Sequence, residues 1–162
     1  IRLRIYETLV ADSKLVLAHR YPHNIALLCD VRREGCPTAL ATQSHREQAR
    51  RVLDILGLAD EFDVVVTRDD VEHGKPDPEI HLLAARELGV KPEECLSIED
   101  SPAGVKAALA AGTEIVAVTT DLTRQKFRDG ADLLDRSHVV DDPRTLPEVV
   151  HRLIGAAGKP PE

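Results

Sequence analysis

Two adjacent carboxylates, Glu99 and Asp100, end a short apolar run and are well suited by type and spacing to hold a metal ion. The run before them, 96–98, predicts a short buried strand. Magnesium usually takes one or two protein carboxylates and keeps several waters, so a pair of acids at a strand end suits it. Alternatively, the two acids only begin a turn and interact with the dipole of the next helix, which Ser101 can cap.

Two further polar residues occupy comparable places. Thr42 ends a predicted strand over 37–42, and Lys75 lies in a loop before a predicted helix. Because the carboxyl ends of parallel strands meet at one edge of a sheet, we expect a hydroxyl, an ammonium and two carboxylates to gather there. Such a group of side chains can bind a phosphoryl group and offset its charge. Taken singly, Thr42 also fits an ordinary strand end and Lys75 a solvated loop.

The elements that must position these residues alternate between strand and helix. This order predicts an α/β fold, a doubly wound parallel sheet with helices on both faces. The predicted strands are 37–42, 62–67, 96–98 and 114–119, with a small edge strand at 139–140. The predicted helices are 23–33, 44–56, 78–88, 102–111, 123–128 and 146–154, and residues 1–18 are also expected to be helical. Ser44 with Glu47 predicts a capping box, and Asp77 predicts a cap for the helix that follows it.

The composition excludes several classes of protein. With 162 residues, 43% of them hydrophobic, the chain can form one globular domain. A net charge of −7 disfavours nucleic acids and anionic membranes as partners, and 2% aromatic residues leave few surfaces for base stacking. The three cysteines, Cys29, Cys36 and Cys95, have no CxxC spacing and predict reduced thiols in a cytoplasmic protein.

Three segments together resemble motifs two, three and four of the haloacid dehalogenase superfamily, in the group of β-phosphoglucomutase-like and phosphoglycolate-phosphatase-like enzymes. They are 39–42, 74–78 and 97–104, and the resemblance extends over about residues 20–155. It implies a Rossmann-like sheet and a magnesium-dependent phosphatase or phosphomutase. Such an enzyme acts on a small phosphorylated metabolite through an aspartyl-phosphate.

The resemblance also implies roles for single residues. Thr42 would bind the phosphoryl group, Lys75 would steady the aspartyl-phosphate, and both are predicted catalytic residues. Gln43 joins Thr42 and Lys75 as a predicted substrate-binding residue. Asp100 and Glu99 would hold Mg²⁺. A monomer is the expected state.

The family's first motif, Asp-x-Asp-Gly-Thr, supplies the nucleophile and the general acid/base, and it does not occur in this sequence. The sequence contains no Met and begins with Ile1, so we expect a chain cut from a longer protein and inactive by itself. Residues 1–20 would be a remnant of an upstream helical cap, 21–155 the core and 156–162 a frayed tail. Only 33 positions lie from Thr42 to Lys75, which leaves no room for a lid domain between them.

The first motif would end a central strand between those that lead to Thr42 and Asp100. Without that strand, several aliphatic side chains lose burial worth roughly 1.5–3 kcal/mol each. We therefore predict that the chain alone folds poorly, or that the two flanking strands close up into an altered sheet.

Other functions stay open at this point. A degenerate family member would keep the phosphate pocket of Thr42 and Lys75 as a binding or regulatory module without turnover. A response-regulator receiver is disfavoured, because by resemblance its acids precede its Thr and Lys. A dinucleotide-binding domain is disfavoured because no predicted strand is followed by GxGxxG. The seven histidines are scattered and predicted to lie mostly on the surface, although His45, like Arg46, could line the phosphate pocket.

Overall fold

Parallel β-strands, divided between two small sheets, form the centre of the fold. The structure, a computed structural model, describes residues 2–129 and 133–157. In one sheet β1 (Ala39–Ala41) pairs with β2 (Val64–Val66). In the other, the strand order is β3 (Leu96–Glu99), β4 (Glu114–Val118) and β5 (Val139–Val140). All of these pairs are parallel, which confirms the predicted α/β fold class.

Helices alternate with the strands along the chain. They are α1 (Arg2–Ala11), α2 (Ser13–Ala18), α3 (Pro22–Arg33), α4 (Arg46–Leu56), α5 (Glu79–Leu88), α6 (Pro102–Ala111), α7 (Arg124–Asp129) and α8 (Leu146–Ala157). Short 3₁₀ turns cover Arg68–Asp70, Pro92–Glu94, Arg136–His138 and Pro143–Thr145. Across the described residues, every helix is too short or too polar to cross a membrane.

Strand β4 is buried by helices on both of its faces. Ile115 and Ala117 pack in a cluster with side chains of α6 and α7, while Val116 and Val118 pack in a cluster with side chains of α3 and α8. Successive side chains of a strand point to opposite faces, so this division shows a sheet covered on both sides. The predicted doubly wound arrangement is therefore present around β4.

The register of β3 on β4 places Glu99 beside Ala117. The hydroxyl groups of Ser97 and Thr113 lie 2.8 Å apart and join the segments at the start of this pair. Glu99 therefore ends β3 at the same edge of the sheet as the end of β4.

The sheet of β1 and β2 is packed against α5. Ile80 and Ala84 of α5 form a buried cluster with Val66 of β2 and Val71. The residues of β1 are only half-buried, in contrast to those of β4.

Strands β1 and β3 belong to different sheets in the described chain, and each has one edge without a strand partner. The expected closing of the flanking strands against each other thus does not occur, and poor folding of the isolated chain stays a prediction. The prediction that 96–98 is wholly buried is wrong for Ile98, whose exposed fraction is 40%. Leu96, on the same face of β3, packs against the cluster of α3 and α8, whereas Ile98 belongs to none of the described core clusters.

Two of the three predicted caps differ in detail. Ser101 caps α6 as predicted, since its Oγ accepts from the Gly104 N–H at 3.1 Å. Helix α4 begins one residue later than expected, with His45 rather than Ser44 at its N-cap. The reason is a turn in which the Ser44 N–H donates to Thr42 Oγ1 at 3.1 Å.

Asp77 does cap the next helix, but from one residue further out. Its Oδ1 accepts from the Glu79 N–H at 3.0 Å, and Pro78 is the N-cap residue of α5. At the other end of the chain, α8 continues to Ala157, past the predicted end at 154. The predicted frayed tail, 156–162, begins within this helix, and 158–162 lie outside the described residues.

Candidate functional site

Thr42, Lys75, Glu99 and Asp100 all lie at the carboxyl edge of the strands. Thr42 follows β1 directly and continues its pairing, with its N–H donating to the Val66 carbonyl at 2.9 Å. Glu99 is the last residue of β3, and Asp100 comes next. Lys75 reaches this edge from the loop before α5, where a cis peptide bond joins it to Pro76.

Lys75 connects the two sheets. Its side chain is 9% exposed, and its Nζ donates to the carbonyl of Ala41 at 3.2 Å and forms an ion pair with Glu99 Oε1. Ala41 is the last residue of β1, so one ammonium group contacts the ends of both β1 and β3. This position excludes the alternative that Lys75 is a solvated loop residue.

Glu99 is held from several sides. Its side chain is 8% exposed, and burial alone would raise its pKa. The His81 ring and the Lys75 ammonium outweigh that burial, so the pKa of Glu99 lies below its ordinary value. On the other side of the carboxylate, a Cβ on Gly104 would overlap Glu99 Oε2. The carboxylate thus stays ionised in a closely fitted, buried position.

His81 is a site residue that the sequence reasoning missed. Its side chain is 7% exposed, and its Nε2 lies 3.1 Å from Glu99 Oε1 without a well-aligned hydrogen bond. Most of the histidines are exposed, as predicted, and His81 is a buried exception. The signal that could have found it is helical spacing, because Ala84, Ala85 and Leu88 follow it at three, four and seven positions on one face of α5.

Asp100 differs from its neighbour. It is exposed, and among the described residues it makes no hydrogen bond or ion pair. The two predicted metal ligands therefore stand in opposite surroundings, one buried against a cation and one open to solvent. The described part of the chain brings no three His, Cys, Asp or Glu side chains together as a metal site.

Thr42 and Gln43 form the other side of the edge. Thr42 Oγ1 accepts from the Ser44 N–H, which leaves its own O–H proton available for a ligand. Gln43 is exposed, and its Nε2 lies 3.5 Å from the Lys75 carbonyl. A Cβ on Gly74 would come within 2.9 Å of Gln43 Oε1, so this glycine allows the two loops to approach closely.

His45 and Arg46 are engaged by a pair of acids. His45 Nδ1 lies 2.5 Å from Asp69 Oδ1, and the Arg46 N–H donates to Asp69 Oδ2 at 2.8 Å. The Arg46 guanidinium pairs with Asp70, whose other oxygen accepts from Thr67 Oγ1 at 2.7 Å. These contacts fix the start of α4 beside the site.

A surface groove of about 610 Å³ opens beyond the Lys75 loop, lined by Arg68, Glu72, His73, Gly74, Pro76, Asp77 and Pro78. The lining does not include the Lys75 ammonium or Glu99. The polar edge between the two sheets, rather than this groove, is therefore the candidate site.

The family model of haloacid dehalogenase-like hydrolases matches residues 5–112. Hexitol phosphatase A of Escherichia coli is 43% identical over 97 residues, which are 60% of this chain and 44% of that protein. Beta-phosphoglucomutase of Bacillus subtilis is 37% identical over 115 residues, which are 71% of this chain and 49% of that protein. The chain thus spans less than half the length of these curated relatives.

A solved structure, a putative beta-phosphoglucomutase from Thermotoga maritima, superposes on this chain with a TM-score of 0.72 and 34% sequence identity. The superposition covers 82% of this chain and 60% of the other. The arrangement of strands and helices therefore resembles that of a solved member of the same group, and the sequence matches agree with it.

Proposed function

This chain belongs to the haloacid dehalogenase-like hydrolases, and from that membership we propose that it is the phosphate-binding part of a magnesium-dependent phosphatase or phosphomutase. The observation that carries the proposal is the buried Lys75 ammonium between the ends of β1 and β3. A small phosphomonoester is the proposed substrate class, in keeping with the names of the phosphatase and phosphoglucomutase relatives.

We assign phosphate binding to the edge formed by Thr42, Gln43 and Lys75. The free proton of the Thr42 hydroxyl and the amide of Gln43 are donors for phosphoryl oxygens. The Lys75 ammonium offsets negative charge that develops on the phosphoryl group, and its burial strengthens that interaction. Its contact with the Ala41 carbonyl holds it in place before a substrate arrives.

Asp100 and Glu99 fit a hard divalent cation by donor type, since both offer carboxylate oxygens at a strand end. The lowered pKa of Glu99 favours its ionised form, and Asp100 faces solvent. We propose that these two residues hold Mg²⁺, with Asp100 on the open side. Bound there, the cation would neutralise charge on the phosphoryl oxygens.

The nucleophile in this proposal is an aspartate on a segment that carries Asp-x-Asp-Gly-Thr. A bond from its carboxylate oxygen to phosphorus forms while the bond from phosphorus to the substrate oxygen breaks, and an acid protonates the departing alkoxide. Water then releases phosphate in a phosphatase, or a second substrate hydroxyl takes the phosphoryl group in a mutase. Because the printed sequence has no such motif, we expect these residues alone to be inactive.

The test is hydrolysis of an aryl phosphate with and without Mg²⁺, by this chain alone and by the chain joined to a segment bearing the motif. We expect turnover only in the joined form with Mg²⁺, and loss of turnover in Asp100→Ala. Asp121→Ala is the matched control, because the Asp121 side chain is 95% exposed and, among the described residues, pairs with Arg124 alone. The proposal would be overturned if the short chain hydrolysed the aryl phosphate, or if Asp100→Ala left the turnover of the joined form unchanged.

A non-catalytic phosphate-binding module is the second candidate. It is favoured by one observation: Thr42 and Lys75 are already in place in a chain without the nucleophile motif. Binding of inorganic phosphate by the short chain, combined with an inactive joined form, would favour this candidate over the enzyme.

A further inference from the structure

We infer that His81 is a positioning residue that fixes the Glu99 carboxylate against Lys75, a role that rests on the proposed function of this edge. The observation is a buried imidazole on α5 whose Nε2 lies 3.1 Å from Glu99 Oε1. The side chain of His81 is only 7% exposed, so the imidazole is enclosed by protein on nearly all sides.

Three elements surround the one carboxylate. Lys75 approaches Oε1 from the loop before α5, His81 approaches the same oxygen from α5 itself, and Gly104 of α6 lies against Oε2. The last torsion of a glutamate side chain is broad and roughly two-fold, so one cation alone does not fix the plane of its carboxylate. A second group on Oε1 and a close wall at Oε2 together remove that freedom.

The physical consequence is that the Lys75 ammonium is held in a fixed position and orientation. Lys75 has three donors on a flexible stem and reaches the site only if its acceptors stay in place. One acceptor, the Ala41 carbonyl, belongs to the backbone. The other acceptor is the side chain of Glu99, and His81 on α5 is the polar group that holds this carboxylate in place. Groups that orient a ligating or catalytic carboxylate commonly change affinity or activity about 10–100-fold when lost.

The variants separate positioning from packing. His81→Phe keeps an aromatic ring in the buried place and removes both nitrogens. His81→Gln gives up the ring but keeps an N–H donor at about the distance of Nε2. His151→Phe is the matched control, since His151 is about half exposed and its nearest acid, Glu34, is 3.8 Å away. Unfolding curves of all four proteins identify any variant that does not fold.

The first readout is the nitrogen-15 NMR signal of the Lys75 ammonium in the form joined to the motif-bearing segment. Such protons are seen when burial and hydrogen bonds slow their exchange with water. We expect the signal in the wild type, its loss or broadening in His81→Phe, and its return in His81→Gln. An absent signal in the folded wild type, or an unchanged signal in His81→Phe, would overturn the inference.

The second readout is binding of Mn²⁺ by electron paramagnetic resonance, followed by kcat and KM of the form joined to the motif-bearing segment. We expect His81→Phe to bind Mn²⁺ about tenfold more weakly and to lower kcat more than it raises KM, with partial recovery in His81→Gln. If His81→Gln bound Mn²⁺ more weakly and had a lower kcat than His81→Phe, His81 would have a packing role, and the positioning role would be contradicted. If the joined wild type is inactive while the ammonium signal still depends on His81, the proposed function fails and the positioning role stands.

Discussion

The two sheets of this molecule show how differently short parallel strands can be buried. In the sheet of β3, β4 and β5, the central strand β4 has a strand on each edge and helices over both faces, and Ile115 to Val118 are at most 5% exposed. In the other sheet, β1 has a strand on one edge only, and all of its residues are half-buried. Both strands are apolar, so burial here follows from the number of neighbours rather than from hydrophobicity.

The polar link between the sheets joins the less buried strand β1 to the end of β3. Lys75 contacts the last carbonyl of β1, and its ammonium forms an ion pair with the Glu99 carboxylate at the end of β3. Buried ion pairs seldom stabilise more than a well-packed apolar contact, but removing one partner leaves the other charge uncompensated. Loss of either partner of this ion pair is therefore expected to cost more stability than a truncation within either sheet.

The largest effect is expected from Glu99→Gln, which keeps the shape of the side chain and leaves Lys75 without its buried counter-charge. We expect the free energy of unfolding to fall by about 3–5 kcal/mol. Glu114→Gln is the control, because Glu114 is half exposed and we expect a change within about 0.5 kcal/mol there. Urea unfolding measures the free energy of unfolding of both variants. Equal effects would show that the ion pair of Lys75 and Glu99 does not contribute to stability.

A matched pair of core truncations compares the sheets directly. Ile115→Ala removes a 2% exposed side chain from β4 and is expected to lower the free energy of unfolding by about 3 kcal/mol. Leu40→Ala removes a similar volume from half-buried β1 and is expected to lower it by about 1 kcal/mol. Denaturant titration measures both. A Leu40→Ala effect as large as that of Ile115→Ala would contradict the difference in burial.

Two glycine substitutions in helices are expected to have opposite signs. Gly104→Ala adds a methyl group that overlaps Glu99 Oε2, so we expect a loss of about 1–3 kcal/mol in spite of the better helix propensity. Gly155→Ala meets nothing within 4 Å on α8, and we expect a gain of about 0.5–1 kcal/mol. Thermal unfolding of the two variants checks the signs. A stabilising Gly104→Ala would show that the carboxylate moves away easily.

The smallest effect concerns pH. Burial raises the pKa of Glu99, but the opposite effect of His81 and Lys75 is larger, so the pKa lies below the ordinary 4.5. The stability from its charge is therefore present above pH 4.5 and lost as the pH falls through the lower, folded-state pKa. We expect the stability gap between wild type and Glu99→Gln to be nearly constant from pH 6 to 5 and to shrink towards pH 3. A stability difference between wild type and Glu99→Gln that grows as the pH falls would contradict this prediction.

The sequence predicted the class of fold and the edge of the site because both depend on local patterns. Alternating apolar runs and capping residues specify the strands and helices, and Thr42 and Glu99 take their places from strand ends and Lys75 from the loop before α5. What could not be predicted depends on three-dimensional neighbours. The burial of His81 beside Glu99 depends on how α5 packs in three dimensions, and the 40% exposure of Ile98 depends on what covers the end of β3.

The register of β3 on β4 has a consequence for insertions and deletions. Glu99 and Asp100 are consecutive, and one is buried at Lys75 while the other is open to solvent. A slip of β3 by a single residue would move Asp100 into the place of Glu99 and Glu99 into that of Ile98, and would direct the shorter aspartate towards Lys75. The length of the connection between α5 and β3, 89–95, is thus as much a part of the site as the two acids themselves.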